Sequence, residues 1–183
     1  FLHKGQVRRN GADFEVHPIT TVLQDREART PLQVAVGLSH DFIEDCFIGS
    51  RRVTPADVRQ KFIEADFDER EAETGALGVF ALSRKVKGRK IANDHYLEQL
   101  VTFHEALPAL SLVDRKGADT ANNVCWDVFQ LQHTPETINP QNAYDFLTNK
   151  AEPVLEVAKS YAPNSSNTAL LEEAIETDWE LLR

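Results

Sequence analysis

Methionine is missing altogether from the 183 residues, the first position included. The expectation is that Phe1 follows a removed segment, or that methionine positions have dropped out of the sequence, leaving spacings across each such point short by one. Cysteine is almost missing too. Cys46 and Cys125 cannot build a disulfide framework and have no zinc-like spacing, so a reducing cytoplasm is the expected setting. No apolar run approaches the ~20 residues that cross a bilayer. Phe1-Leu2-His3-Lys4-Gly5-Gln6 lacks the apolar core of a signal peptide. Phosphate-cradling glycine loops and dinucleotide fingerprints are absent, and Asp66-Phe67-Asp68 lacks the downstream Gly and Glu of a calcium loop. Positive charge is in deficit, with 20 Lys and Arg against 29 Asp and Glu. A chain with net charge −9 is a poor general binder of nucleic acid or of an anionic membrane. An anionic substrate would need positive charge gathered locally, from a metal or from a cluster of Lys and Arg.

Repeats, low-complexity tracts and linkers rich in Pro, Gly and Ser are lacking as well, so one domain over residues 1–183 is expected. What is present is a soluble composition, 42% hydrophobic, on a chain long enough to bury a core. Long period-2 alternation is nowhere found, and the apolar residues fall at helical spacing. Thr30-Pro31 and Thr54-Pro55 open helices, since proline is favourable at a first helical position. Ala92 to Leu107 carries Tyr96, Leu97, Leu100, Phe103 and Leu107 on one stripe and stops at Pro108. Further helices are expected over Leu110–Phe129, Asn142–Ala158 and Thr168–Leu182, with turns at Asn10-Gly11, Gly49-Ser50, Lys87-Gly88 and Ala162-Pro163-Asn164. The expected fold class is all-α, a bundle of about seven to ten helices.

The helix opened by Pro31 carries the chemistry. It runs as Leu32-Gln33-Val34-Ala35-Val36-Gly37-Leu38-Ser39 and then His40-Asp41-Phe42-Ile43-Glu44-Asp45-Cys46. In one continuous helix, His40 and Glu44 share a face, as do Asp41 and Asp45. A histidine and three carboxylates ending a buried apolar run are costly unless something compensates them. A divalent metal does so and uses these ligand types. The plainer alternative is a polar helix end facing water. His17, before Pro18, and Asp119, four before Asn123, are further possible ligands. Taken singly, each reads equally as a surface or inter-helix polar residue.

The order His, His-Asp, distant Asp resembles the HD-domain metal phosphohydrolases. It is most similar to the hydrolase domain of the RelA/SpoT family and its small stand-alone alarmone hydrolases. That family reads H-x-G-Q-x-R-K-x-G-x-P-Y-x-x-H-P, then H-D-x-x-E-D, then K-L-A-D-R-x-x-N. Here the corresponding segments are His3-Lys4-Gly5-Gln6-Val7-Arg8-Arg9-Asn10-Gly11-Ala12-Asp13-Phe14-Glu15-Val16-His17-Pro18, then His40 to Asp45, then Lys116-Gly117-Ala118-Asp119-Thr120-Ala121-Asn122-Asn123. The motifs cover residues 1–124, with the C-terminal helices completing an HD-type bundle. The resemblance implies one divalent ion, manganese as in the family, held by His17, His40, Asp41 and Asp119. It implies Glu44 and Asp45 as the catalytic carboxylates that orient or deprotonate the attacking water. Arg8 would face a nucleotide base with Gln6 and Arg9 beside it, and Asn123 would reach sugar or phosphate. The implied activity is removal of the 3′-pyrophosphate of (p)ppGpp, a small-molecule nucleotide, with no nucleic-acid or membrane partner.

The sequence departs from the pattern at Asp13-Phe14, Gly117, Thr120 and Asn122, and about 75 residues part the last two motifs. Other nucleotides therefore stay open as substrates, NADPH or (p)ppApp among them, as does a module that senses a nucleotide without turning it over. The basic run Ser83-Arg84-Lys85-Val86-Lys87-Gly88-Arg89-Lys90 reads equally as a solvated loop or as a phosphate clamp, with Lys85 in contact with substrate. Tyr144 is either a core residue or part of the nucleotide pocket.

Overall fold

The computed structural model describes residues 13, 16–86 and 88–183. Among them the chain is helical almost throughout, an all-α fold whose contacts divide it into two compact units. One comprises Phe1–Val22 and Ala28–Leu112, the other Leu23–Glu27 and Val113–Arg183. The motif-bearing stretch 1–124 coincides with neither.

The first unit holds α1 (Val16–Gln24) up to Val22, α2 (Pro31–Ser39), α3 (Phe42–Asp45), α4 (Pro55–Glu64), α5 (Glu69–Leu82) and α6 (Asn93–Ala106). Both Thr-Pro starts are helix caps. The Thr30 hydroxyl accepts from the Gln33 amide at 3.2 Å, and Gln33 Oε1 accepts the Thr30 amide at 3.1 Å. Thr54 and Asp57 repeat the reciprocal arrangement, which satisfies amide groups that a helix start leaves without partners. Arg51 adds a two-pronged pair to Asp57, 2.6 Å on each side. Helix α5 packs on α2, α4 and α6 through small residues. A Cβ on Gly75 would lie 2.5 Å from the Phe62 ring, and one on Gly78 2.5 Å from Leu110. The absent side chains let those core residues seat against the helix backbone. Val36, Val58, Val79, Tyr96, Leu100 and Leu110 form the buried centre.

Two features of this unit differ from expectation. The single helix from Pro31 to Cys46 is two helices, parted at His40-Asp41, where Asp41 has ψ −3°. His40 Nδ1 bonds the Gly37 carbonyl at 2.7 Å, the acceptor that an uninterrupted helix gives to the Asp41 amide. The turn at Gly49-Ser50 also closes a small antiparallel hairpin, β1 (Phe47–Ile48) with β2 (Arg51–Arg52), and β3 (Lys85–Val86) pairs antiparallel with β4 (Arg89–Lys90). Gly49 has φ +63° as the first central residue, where a two-residue hairpin loop of the type II′ form requires a left-handed conformation. Two-residue strands are too short to leave an alternation signal.

The second unit holds α7 (Leu112–His133) from Val113, α8 (Pro140–Phe146), α9 (Glu152–Tyr161) and α10 (Ser166–Leu182). The helix expected over Asn142–Ala158 starts earlier and contains a wider turn at Leu147–Ala151. Pro153 follows it. Proline has no amide for the Asn149 carbonyl and its ring crowds that oxygen, so the ladder widens there. The unit is tied to its short segment by a buried pair, Arg115 to Asp25, with Asn167 Nδ2 also donating to Asp25 Oδ1 at 2.7 Å. The start of α10 takes further bonds from the same segment, the Ser166 amide to Glu27 at 3.1 Å and the Arg26 amide to Asn167 at 3.1 Å.

Asp178 on α10 is fully buried, and among the described residues neither carboxylate oxygen finds a hydrogen-bond partner. Burial, and then the nearby Asp127 charge, push its carboxyl up to about 7. Folded protein therefore keeps this proton over a range in which unfolded chain, near the ordinary carboxyl value of 3.8, has lost it. Stability falls as pH rises through that window. At about 1.4 kcal/mol per unit, wild type is expected to lose about 2–3 kcal/mol between pH 5 and pH 8 relative to Asp178→Asn. Urea unfolding of both proteins at the two pH values measures it. Equal slopes would show that Asp178 is ionised in the folded state.

Candidate metal centre

The first unit brings together three of the expected ligands. His17 sits in the first turn of α1 and His40 at the end of α2, 3% and 5% exposed. Asp41 stands beside them with its side chain 18% exposed, enough for water to reach it. His40 Nε2 lies 3.3 Å from His17 Nε2 and 3.3 Å from Asp41 Oδ2, and His17 Nε2 lies 3.7 Å from the same oxygen. Atoms at these separations lie on a circle of about 2.0 Å radius. Bonds from a divalent ion to imidazole nitrogen or carboxylate oxygen are about 2.0–2.2 Å, so one ion reaches all three.

Tautomer chemistry agrees with that fit. The Gly37 carbonyl can only accept, so His40 Nδ1 donates to it, and Nε2 on the other edge of the ring is the atom that would bind a cation shared with Asp41 and His17. Thr21 Oγ1 lies 3.5 Å from His17 Nδ1 on the opposite edge of that ring. Two buried imidazoles with facing Nε2 atoms and a carboxylate between them are compensated well by a cation and poorly by apolar surroundings. Thr21, four residues after His17, and Gly37, three before His40, went unnoticed in the sequence. Helical spacing is the signal that finds both.

Asp119 belongs to the second unit, on α7, 6% exposed. Lys116 pairs with its carboxylate, and Asn123 Nδ2 donates to its Oδ1 at 3.1 Å and its carbonyl at 2.9 Å. Asn123 thus supports Asp119. His17, His40 and Asp119 are all buried, and each offers one ligand atom suited to a metal ion.

Glu44 and Asp45 follow Asp41 on α3, and both are met by the second hairpin. Lys85 Nζ lies 2.7 Å from Asp45 Oδ1 and 3.9 Å from Glu44 Oε2. The Arg84 amide donates to Glu44 Oε1, and Arg52 donates to the Glu44 carbonyl at 2.5 Å. Arg52 and the Arg84 amide are contacts that motif reading missed. Cys46, next in the chain, is fully buried, and burial with the Asp45 and Asp41 charges pushes its thiol up to about 12. It remains a neutral core residue rather than a ligand.

Tyr144 lies on α8 in the second unit, half-exposed and edge-on to Trp179 with ring centroids 5.2 Å apart. Gln6, Arg8 and Arg9 lie outside the described residues. Among those described, no helix is long and apolar enough to cross a membrane. Neither the models of protein families nor the curated proteins nor the solved structures contain a match to this chain.

Proposed function

We propose that this chain is a metal-dependent phosphohydrolase of the HD type that acts on a pyrophosphorylated nucleotide, removing the 3′-pyrophosphate of (p)ppGpp. The convergence of His17 Nε2, His40 Nε2 and Asp41 Oδ2 within 3.3–3.7 Å, one helical turn before Glu44-Asp45, carries the reading. The order of the three sequence motifs supports it and supplies Asp119 as the fourth ligand. A bound manganese ion would offset phosphate charge and acidify an adjacent water. The residues then divide the work. His17, His40, Asp41 and Asp119 would hold the ion. Glu44 and Asp45 orient the water and take its proton. The water oxygen forms a bond to the phosphorus on the ribose 3′ oxygen as the bond between them breaks, the 3′ oxygen takes a proton, and pyrophosphate leaves.

Incubation with Mn2+ and ppGpp, followed by chromatography, is expected to yield GDP and pyrophosphate from intact protein and nothing from Asp41→Ala. Absence of product from intact protein, or undiminished product from the variant, overturns the reading. A panel that adds ppApp and NADPH ranks the substrates.

A further inference from the structure

We infer that Lys85 and the Arg84 amide form a positioning clamp on Glu44 and Asp45 rather than a grip on substrate phosphate, an inference that rests on the hydrolase reading above. Lys85 Nζ is 2.7 Å from Asp45 Oδ1 and 3.9 Å from Glu44 Oε2, and the Arg84 amide donates to Glu44 Oε1. An ammonium group committed to two neighbouring carboxylates has little charge left for a phosphate. It offsets their mutual repulsion and fixes where their oxygens point.

The clamp is held from behind by α6. The Arg84 guanidinium bonds Asn93 Oδ1 and lies 4.8 Å over the Tyr96 ring. The Tyr96 hydroxyl donates to the Leu82 carbonyl at 3.2 Å. Gln99 Nε2 bridges the carbonyls of Phe80, Ala81 and Ser83 at 3.1–3.3 Å. The end of α5 and the first hairpin strand are thus anchored to a packed helix, with Tyr96 and Ser83 fully buried. Pairing of Lys85 with Lys90 across the hairpin fixes the strand from its other side. A site on such elements holds its groups to the sub-ångström tolerance that proton transfer requires.

The test uses full-length Lys85→Met, Lys85→Arg and Glu44→Ala. Loss of an orienting partner is expected to lower kcat of Lys85→Met on ppGpp about 10–100-fold, with KM and Mn2+ affinity unchanged. Lys85→Arg, which keeps the cation, is expected to restore most of kcat. A large rise in KM at unchanged kcat is the outcome of a phosphate grip and overturns the inference, as does an unchanged kcat. Hydrogen exchange of the Arg84 amide gives a readout without turnover. In Glu44→Ala that amide is expected to exchange about tenfold faster or more, and an unchanged rate overturns the clamp. If intact protein hydrolyses no nucleotide, the hydrolase reading fails, and the exchange rate alone decides the clamp.

Discussion

His40→Ala is expected to abolish Mn2+ binding to the first unit and to lower hydrolysis by about three orders of magnitude. A bound ion contributes several kcal/mol of charge stabilisation to a phosphoryl transfer, and about 4 kcal/mol corresponds to about 10³-fold in rate. His40 is the proposed ligand whose loss is most damaging, because it does two things. Its Nε2 is 3.3 Å from both His17 Nε2 and Asp41 Oδ2, and its Nδ1 holds the Gly37 carbonyl where α2 gives way to α3. A metal-linked stability shift separates the two roles. Mn2+ at about a hundred times its dissociation constant stabilises a binding-competent protein by about 2.7 kcal/mol. Intact protein is expected to gain that increment, to lose it again on chelation, and His40→Ala to gain none. The variant's metal-free stability reports the loss of the buried imidazole and its contacts, the Gly37 bond among them. Unfolding curves with and without Mn2+ measure both. An equal Mn2+ increment in the two proteins would place the metal elsewhere.

Arg115→Leu is expected to destabilise the second unit by about 3–5 kcal/mol, the range for a buried pair that loses one partner. The side chains of Arg115 and Asp25 are 1% and 3% exposed. Removal of the guanidinium leaves the Asp25 carboxylate buried, with Asn167 Nδ2 at 2.7 Å and the Glu27 amide at 3.0 Å as neutral donors. Those two bonds cannot replace a charge. Whole domains are stable by only about 5–15 kcal/mol, so the loss is expected to show as partial unfolding at physiological temperature. The double variant Arg115→Leu with Asp25→Leu removes both charges and is expected to recover most of the loss. Urea midpoints of the three proteins decide it. If the single variant costs under about 1 kcal/mol, the pair behaves as a solvated one.

How far the sequence reaches is seen best in particular residues. Thr30, Thr54, Pro31 and Pro55 are local signals, and the helices they announce start where they stand, because a cap needs only its own first turn. The apolar stripes of α6 and α10 were legible for the same reason. The break at His40-Asp41 was not. It comes from a side chain competing for one backbone carbonyl, which leaves no trace in hydrophobic spacing. Nor were the two hairpins, whose strands are two residues long, although the Gly49-Ser50 turn was expected at the right place.

For the candidate centre, composition and motif order selected His17, His40, Asp41, Glu44 and Asp45. Tertiary packing alone brought His17 and His40, 23 residues apart, to 3.3 Å. It also paired Lys85, read in the sequence equally as a solvated residue or a phosphate contact, with Asp45, and it buried Asp178 with no hydrogen bond among the described residues. Residue type and spacing determine which chemistry a chain can perform and which helices it forms, because both act over a few residues. Which charges meet, and which are left in the dry interior, depends on contacts between distant segments, and only the folded chain decides those.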